Sequence, residues 1–286
     1  MPIPVSAALT AVIQQCNLSR IHPGLLFNRY LSWPKEWDFG GEEKARCWEQ
    51  IAKAISQVSS EVYDFIDQRQ QKLRDLIAAI YPGGTTLNLT LNTRAPLVVG
   101  LGGNSPLENA ITLHPLWGIP YLPASGLKGV MRHYLEENYS DDFCNNQAKE
   151  LIDNFFGSPI GTGRLILLDA FPAHPLCFDQ HIRVDILNNH YPGYYLGEGA
   201  DLEAPGDYQD PRPVYFLSLG LKVQFKLYFY LKPLSLSNAK SLPGELILAE
   251  FYCNPDKFCK YALEEMAMGA KTNVGYGWVE VQLMET

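Results

Sequence analysis

Two stretches of this sequence decide its fold and its site: Pro123-Ala124-Ser125-Gly126-Leu127-Lys128-Gly129-Val130-Met131-Arg132 and Gly269-Ala270-Lys271-Thr272-Asn273-Val274-Gly275-Tyr276-Gly277-Trp278. In the first stretch a proline ends an extended segment and Ser125 is a good N-cap, which predicts the start of a helix. Lys128 and Arg132 then share one face of that helix, because they are four residues apart. The second stretch is a glycine-rich loop that carries a lysine and precedes a strand.

This combination of small residues with cations predicts a site for phosphate. Backbone N–H groups at a helix N-terminus attract anions, and cations one turn later add to the attraction. Small residues also let another backbone come within hydrogen-bonding distance. A polyanion that contacts both stretches is the simplest common explanation. The candidate contacts are Ser125, Lys128, Arg132, Gly269, Lys271, Thr272, Asn273 and Tyr276.

Around these stretches the apolar pattern predicts strands mixed with helices. Leu87, Leu89 and Leu91 alternate with polar residues, as expected of a half-buried strand, and the same period of two returns over 223–229. Further strands are predicted at 165–168, 182–186, from 214 onward and at 278–283, with helices after Ser125, at 147–156 and at 256–268. This order predicts an α+β fold whose sheet is covered on one side.

The N-terminal part of the chain has a helical period instead. Apolar residues recur every three or four positions between residues 42 and 81. They are Trp48, Ile51, Ile55, Val58, Val62, Phe65, Leu73, Leu76 and Ile80. The pattern predicts an amphipathic helix or helix pair packed on the rest of the protein, with a partner-docking coiled coil as the alternative. We therefore predict an N-terminal helical extension over 1–85 and a main domain over 86–286.

An irregular insertion is predicted near 188–213. It contains five acids with no cation between them, namely Glu198, Asp201, Glu203, Asp207 and Asp210. The run indicates either a solvated surface insertion or an arm that docks on a basic neighbour.

Composition limits the classes of function. The 286 residues carry a net charge of -8, so a protein that grips nucleic acid by its overall charge is disfavoured, and any such contact must be local or shared with basic partners. The six cysteines form no C-x-x-C pair, which predicts reduced, mostly buried thiols and no metal site. We find no signal peptide and no long apolar run, and expect a cytoplasmic protein without cofactor or membrane contact.

Three motifs suggest catalysis or cofactor binding; the first two are set aside, and the third remains open. The glycines at 100–103 lack the third glycine and the helix of a dinucleotide fingerprint. Ser125 and Lys128 match the S-x-x-K pair of penicillin-recognising acylases, but the accompanying S-x-N motif is absent from the sequence. His133 is the one histidine placed for acid–base chemistry on RNA, beside Arg132 on the predicted helix.

Several motifs, taken in order, resemble the RAMP superfamily of CRISPR-associated proteins over residues 86–286. They are His114-Pro115, the segment 118–132, Phe156-Gly157, Gly163-Arg164-Leu165, Asp169-Ala170 and the segment 269–277. Within that superfamily, Val184-Asp185, His190-Tyr191, Tyr194-Tyr195 and the segment 211–217 resemble the family of sixth subunits of the Cmr complex, a type III-B RNA-guided effector.

The resemblance implies a ferredoxin-like, RRM-related domain with the glycine-rich loop near its C-terminus. It implies a structural subunit that binds the backbone of the guide (CRISPR) RNA toward its 3′ end, beside other Cmr subunits, in antiviral defence. Related subunits that cut target RNA use a loop aspartate, whereas the corresponding loop here, 100–113, has Glu108 as its only acid. We therefore expect no catalysis. The alternative is a metal-independent endoribonuclease of the same superfamily that processes CRISPR transcripts through His133.

The protein could also contact RNA bases without distinguishing one base from another. Tyr276 and Trp278 are placed to stack on them, although a core position is equally compatible with Trp278. Backbone contacts carry no base code, which suits a protein that holds guides of any sequence.

Overall fold

A computed structural model describes residues 21–31, 41–105, 107–138, 146–189, 191, 194, 204, 206, 211–233 and 254–284. The chain forms two compact units that alternate along the sequence. The hairpin unit comprises Met1–Val58, Gly100–Ile119 and Leu176–Leu219. The sheet unit comprises Ser59–Val99, Pro120–Pro175 and Gly220–Thr286. Most of the predicted insertion near 188–213 lies outside the described residues, and so do all five acids of its acidic run over 198–210.

Within the described residues, the hairpin unit is built from two helices and one antiparallel hairpin. Its elements are α1 (Pro23–Arg29), α2 (Gly41–Ser56), β6 (Ile182–Asn189) and β7 (Arg212–Leu219). α2 packs on α1 and on both strands of the hairpin. Trp48, Ile51 and Ile55 are fully buried, so the apolar stripe predicted on this helix is the one that packs. The two predicted strands pair with each other in a separate two-stranded sheet.

The sheet unit contains the remaining elements. They are α3 (Ser60–Ile80), β1 (Thr85–Thr93), α4 (Ala124–Asn138), α5 (Asn146–Phe156), β2 (Gly157–Ser158), β3 (Gly161–Thr162), β4 (Leu165–Leu167), β5 (Phe171–Pro172), β8 (Gln224–Leu231), α6 (Pro255–Glu265), a 3₁₀ turn (Thr272–Val274) and β9 (Val279–Leu283). The predicted helix at 256–268 ends earlier than expected, because the N–H of Met268 already donates to the carbonyl of Gly277 at 3.0 Å.

The main sheet is antiparallel with the order β4-β8-β1-β9, and β5 also pairs with β8. Helix α4 connects β1 to β4, and α6 connects β8 to β9, which is the connectivity of a ferredoxin-like fold. β2 and β3 form a separate short hairpin. The predicted α+β, ferredoxin-like class is therefore confirmed.

The alternation seen in the sequence separates the two faces of this sheet. Leu89 pairs with Leu227 and Leu91 with Phe225, and all four side chains are fully buried. Neighbouring residues point to the opposite face, because successive strand side chains alternate. Helices α4 and α6 pack on each other, and the ring centroids of Tyr134 on α4 and Phe258 on α6 are 6.4 Å apart.

The second face of the sheet is covered by α3. Asp67 accepts hydrogen bonds from Lys226 Nζ at 2.7 Å and from the Tyr228 hydroxyl at 2.6 Å, and Arg74 donates to Asn88 at 3.3 Å. The prediction of a sheet covered on one side is wrong for this reason. The helical stretch at 42–81 is indeed a pair, but its second helix contacts a polar strand face, and its apolar residues Phe65 and Leu76 remain more than half exposed.

Candidate nucleic-acid interface

Helix α4 begins at Ala124, and its first turn is capped by a residue from elsewhere in the chain. The N–H of Ala124 donates to Asp169 Oδ1 at 2.7 Å, and Leu122 and Ala170 exchange two backbone hydrogen bonds of 2.9 Å. A carboxylate at this position is favourable because it faces the positive end of the helix dipole. The prediction that Ser125 is the N-cap is therefore wrong. Ser125 lies inside the first turn of α4 and is exposed.

The first turns of α4 present bare backbone to solvent. A Cβ atom added at Gly126 or Gly129 would meet nothing within 4 Å, and both glycines and Ser125 are exposed. Glycine inside a helix is unfavourable by about 0.5–1 kcal/mol relative to alanine. Two open glycines therefore weaken the helix and leave a smooth strip on which another backbone can lie.

Lys128 lies beside this strip and is half-buried. Burial lowers its pKa, and the positive charge of Lys232 lowers it further. Within the part of the chain that the structure describes, no carboxylate pairs with Lys128. Its ammonium is thus a cation that lies near the charge of Lys232, and no described carboxylate forms an ion pair with either lysine.

Arg132, one turn later, is engaged inside the protein. Its guanidinium donates to Glu136 and Asp153, both at 3.0 Å, and to the carbonyl of Gly157 at 3.3 Å. Burial lowers the pKa of Arg132, but hydrogen bonds to the two carboxylates and their charges outweigh it, so the net pKa is raised. Arg132 therefore ties α4 to α5 and β2, and a phosphate would compete with these contacts.

The glycine-rich loop over 269–278 closes on its own chain. The N–H groups of Ala270 and Gly277 each donate at 2.8 Å, to the carbonyls of Val98 and Pro96. An added Cβ would lie 2.2 Å from the Val98 oxygen at Gly269 and 2.0 Å from the Met268 oxygen at Gly277. The close approach that the sequence predicted at these two glycines is made by the protein's own backbone.

The tip of this loop faces solvent. Lys271 adopts a left-handed conformation with φ 63°, and the 3₁₀ turn that follows ends at Gly275 with φ 93°. Asn273 and Val274 are exposed, whereas Lys271, Thr272 and Tyr276 are half-buried. Trp278 is 44% exposed, so it is not a core residue. It lines a groove of about 480 Å³ together with Arg94 and Lys260.

The anchors of the two motifs lie at different parts of the main sheet. α4 starts next to Ala170 and β5, on the β4 side, while the loop is bonded to the segment after β1 and leads into β9 at the other edge. Four strands at a spacing of about 4.8 Å separate these edges by roughly 14 Å. A polyanion that contacts both motifs would have to span that width.

The open face of an RRM sheet commonly stacks bases, but here that face is occupied by α3. Tyr228 lies on this face and donates to Asp67, and burial together with this hydrogen bond raises the pKa of Tyr228 to about 12. Gln70 adds a bond from its side chain to the carbonyl of Asp169 at 3.1 Å. Base stacking on this sheet is blocked as long as α3 stays in place.

Two residues considered for catalysis have ordinary surroundings. His133 is exposed, and its Nε2 lies 3.7 Å from Glu137, one turn along the same helix. Glu108 forms an ion pair of 2.6 Å with Lys44. Among the described residues no group of histidine, cysteine and carboxylate side chains could hold a metal ion. No described helix is both long and apolar enough to cross a membrane.

Sequence reasoning missed Asp169, Lys232 and the helix over the second sheet face. Asp169-Ala170 stood among the motifs that carried the family resemblance, so a signal for Asp169 was present, but nothing local to it indicates a cap for a helix 45 residues away. Lys232 follows a strand and has no motif of its own.

The order of the strands, the two connecting helices and the loop before the last strand define a ferredoxin-like domain of the RRM-related class. The model of the RAMP superfamily matches residues 90–280, and the chain belongs to that superfamily.

Individual relatives agree with this assignment. The chain is 26% identical to the CRISPR system subunit Cmr6 of Pyrococcus furiosus, over 75% of this chain and 72% of that one. It is 24% identical to Cmr6 of Saccharolobus solfataricus, over 85% and 74%. A chain in the cryo-EM structure of the Type III-B Cmr-beta complex bound to cognate target RNA shares the fold, with a TM-score of 0.58 and 21% identity over 85% and 73% of the two chains.

Proposed function

We propose that this protein is a non-catalytic structural subunit of a type III-B CRISPR effector complex, acting in antiviral defence in the cytoplasm. In this proposal it binds the backbone of the guide RNA toward its 3′ end, independently of sequence, beside other Cmr subunits. The relatives named Cmr6 support the assembly. One observation carries the RNA contact: the exposed, glycine-lined start of α4 lies beside Lys128, which no carboxylate neutralises among the described residues.

The chemistry of the two motifs suits phosphate and not bases. N–H groups, a serine hydroxyl and lysine ammonium groups all attract phosphate oxygens, and such contacts position a nucleic acid without reading it. The direct contacts proposed are Ser125 and Lys128 on α4, with Lys271, Thr272, Asn273 and Tyr276 on the loop. Gly269 contributes by letting the loop close on Val98. Arg132 contributes mainly by holding α4 in place, since its guanidinium already bonds two carboxylates.

Guide retention in the assembled complex tests this proposal. Lys128→Ala and Lys271→Ala should each weaken retention about 5-fold, roughly 1 kcal/mol, equally for two guides of unrelated sequence. Each should also make the dependence of log K on log salt shallower by about one unit. Lys72→Ala, which removes an exposed helical lysine far from both motifs in the sequence, is the matched control and should change neither quantity. A variant that altered the preferred guide sequence would contradict the backbone-only contact.

The nuclease alternative predicts a different result. Labelled repeat RNA incubated with the purified protein in EDTA should stay intact, because His133 is exposed and, among the described residues, its ion pair is with Glu137 of the same helix. Cleavage that disappears in His133→Ala would replace the structural proposal with the catalytic one.

The isolated subunit should bind RNA weakly. Its net charge of -8 opposes the approach of a polyanion, and about three phosphate contacts support a Kd of roughly 10–100 μM or weaker at physiological salt. Titration of labelled single-stranded RNA at about 150 mM salt measures this. Nanomolar binding would reveal a basic surface beyond the two motifs.

A further inference from the structure

Lys232 is held rigidly at the end of β8. Its N–H donates to the carbonyl of Arg164 at 3.0 Å, and its carbonyl accepts two bonds from the Arg164 guanidinium, at 3.0 and 2.8 Å. Both backbone groups of Lys232 are therefore fixed by one residue of the neighbouring strand region.

The ammonium group of Lys232 is also positioned without being neutralised. Its Nζ lies 4.7 Å from the centroid of the Tyr81 ring and 3.4 Å from Thr162 Oγ1. Neither group carries a negative charge. Within the described residues Lys232 has no carboxylate partner, unlike Lys226 on the same strand, which pairs with Asp67 at 2.7 Å.

The β2–β3 hairpin connects this lysine to the start of α4. Thr162 pairs with Gly157 in the hairpin, and the carbonyl of Gly157 accepts a bond from Arg132. Lys128 lies one turn before Arg132 on the same helix face. Burial lowers the pKa of Lys128, and the charge of Lys232 lowers it further. Two unneutralised lysines thus face one region between α4 and the hairpin.

We propose that Lys232, Thr162 and Lys128 form a phosphate-binding position that extends the contact at α4 toward the β2–β3 hairpin. An anion between two like charges offsets their mutual repulsion and supplies the counter-charge that no described carboxylate provides. The ligand is a phosphodiester of a single-stranded RNA, whose backbone then leaves the glycine strip of α4 along the hairpin. This inference rests on the proposed function and adds a direction for the RNA and a residue that no motif indicates.

Binding of a labelled 20-nucleotide oligouridylate to the full-length protein, at low salt, tests the proposal. Lys232→Ala should weaken binding about 3- to 5-fold and make the salt slope shallower by about one unit, as one lost phosphate contact does. Thr162→Val keeps the shape of the side chain and removes the hydroxyl, so it should weaken binding by less. Lys72→Ala is the control for the loss of one positive charge and should bind as the unaltered protein does.

The outcomes separate this inference from the proposed function. Weakened binding by Lys128→Ala with unchanged binding by Lys232→Ala overturns the extended position and leaves the function intact. Unchanged binding in both variants overturns the two together. Competition with inorganic phosphate identifies the ligand. If phosphate displaces RNA no more than chloride does at equal ionic strength, the site is one for the polymer. If phosphate displaces RNA more strongly than chloride does, the site is one for the free ion, and the assignment to RNA is overturned.

A measurement without substitutions guards against misfolded variants. Lysines of the unaltered protein are acetylated with a limiting reagent, with and without the oligouridylate, and each site is quantified by mass spectrometry. Modification of Lys128 and Lys232 should fall together when RNA is present, while that of Lys72 stays constant. Constant modification of Lys232 would contradict the proposal.

Discussion

The two motifs that stand out in the sequence use the same kinds of residue for opposite purposes. In the loop, Gly269 and Gly277 are packed against backbone oxygens, where no larger residue fits. On α4, Gly126 and Gly129 face open space, and Lys128 has a like charge as its neighbour. The loop glycines therefore maintain the fold, whereas the α4 residues weaken it. Residues that reduce stability without a structural benefit are typical of binding sites.

The largest effect is expected in the loop. Gly277→Ala would bring a Cβ within 2.0 Å of the Met268 oxygen at a φ of 85°. Overpacking and the left-handed backbone together should lower the free energy of unfolding by about 3 kcal/mol or more. Thermal or urea unfolding measures the loss.

Gly275→Ala is the matched control for that variant. This glycine has a φ of 93° but no neighbour within 4 Å of an added Cβ, so only the backbone term of about 1 kcal/mol remains. Equal losses of unfolding free energy in Gly277→Ala and Gly275→Ala would show that the contact with Met268 does not contribute to the destabilisation.

A smaller effect is expected at Arg132. Arg132→Ala leaves Asp153 and the Gly157 carbonyl without their partner, which should lower the free energy of unfolding by about 1–2 kcal/mol. Lys128→Ala should not destabilise the protein, although it lies on the same helix face.

RNA binding by the same two variants, measured well below their unfolding transitions, compares the two cations. Lys128→Ala should weaken binding more than Arg132→Ala. Equal losses would instead support the direct phosphate contact that the sequence predicted for Arg132.

Gly129→Ala should stabilise the protein and impair its function. Alanine in place of an exposed helical glycine should raise the free energy of unfolding by about 0.5–1 kcal/mol. The added methyl group would lie on the smooth strip, so RNA affinity should fall. Gln68→Ala, on the exposed side of α3, is the control, with unchanged affinity. Unchanged affinity in Gly129→Ala as well would show that no backbone lies close to this turn.

The smallest effect concerns the charge of Lys128. Lys128→Met removes a half-buried ammonium group and its repulsion from Lys232, so stability at neutral pH should rise, by less than about 0.5 kcal/mol. The folded-state pKa of Lys128 is lowered, so the unfolded state binds its proton more tightly. The charged folded form is therefore penalised at neutral pH, and the penalty fades as pH rises through the lowered pKa toward 10.5.

Stability curves at neutral pH and near pH 10 check this sign. The advantage of Lys128→Met over the unaltered protein should narrow as pH rises. An advantage that grew with pH would contradict the lowered pKa.

The helix pair shows how far an apolar period can be interpreted. The same spacing marks α2 and α3, and on α2 it identifies the buried stripe correctly, with Trp48 and Ile51 fully buried. On α3, Phe65 and Ile80 of the period are 58% exposed. The buried residues of this helix are instead Tyr63, Ile66 and Gln70, which lie outside the period. Periodicity shows that a helix has two different faces, and the partner decides which of them packs.

The sequence alone determined the elements that depend on short-range chemistry. Alternation over 87–91 and 223–229 predicted two strands, each with an apolar face, and the structure pairs these strands. The helical period up to residue 81 predicted a helix that ends at Ile80 in the structure. The order of the motifs was sufficient to recognise the superfamily.

Only the tertiary structure decided what each candidate residue does. Asp169 replaced Ser125 as the cap, Asp153 and Glu136 engaged Arg132, and Val98 filled the space at Gly269. Most of these partners come from distant parts of the chain, so no local pattern contains them. The fold decides which distant backbone lies against a glycine, and therefore whether the glycine is exposed or packed. It also decides which carboxylate lies near a cation, and therefore whether the cation is paired.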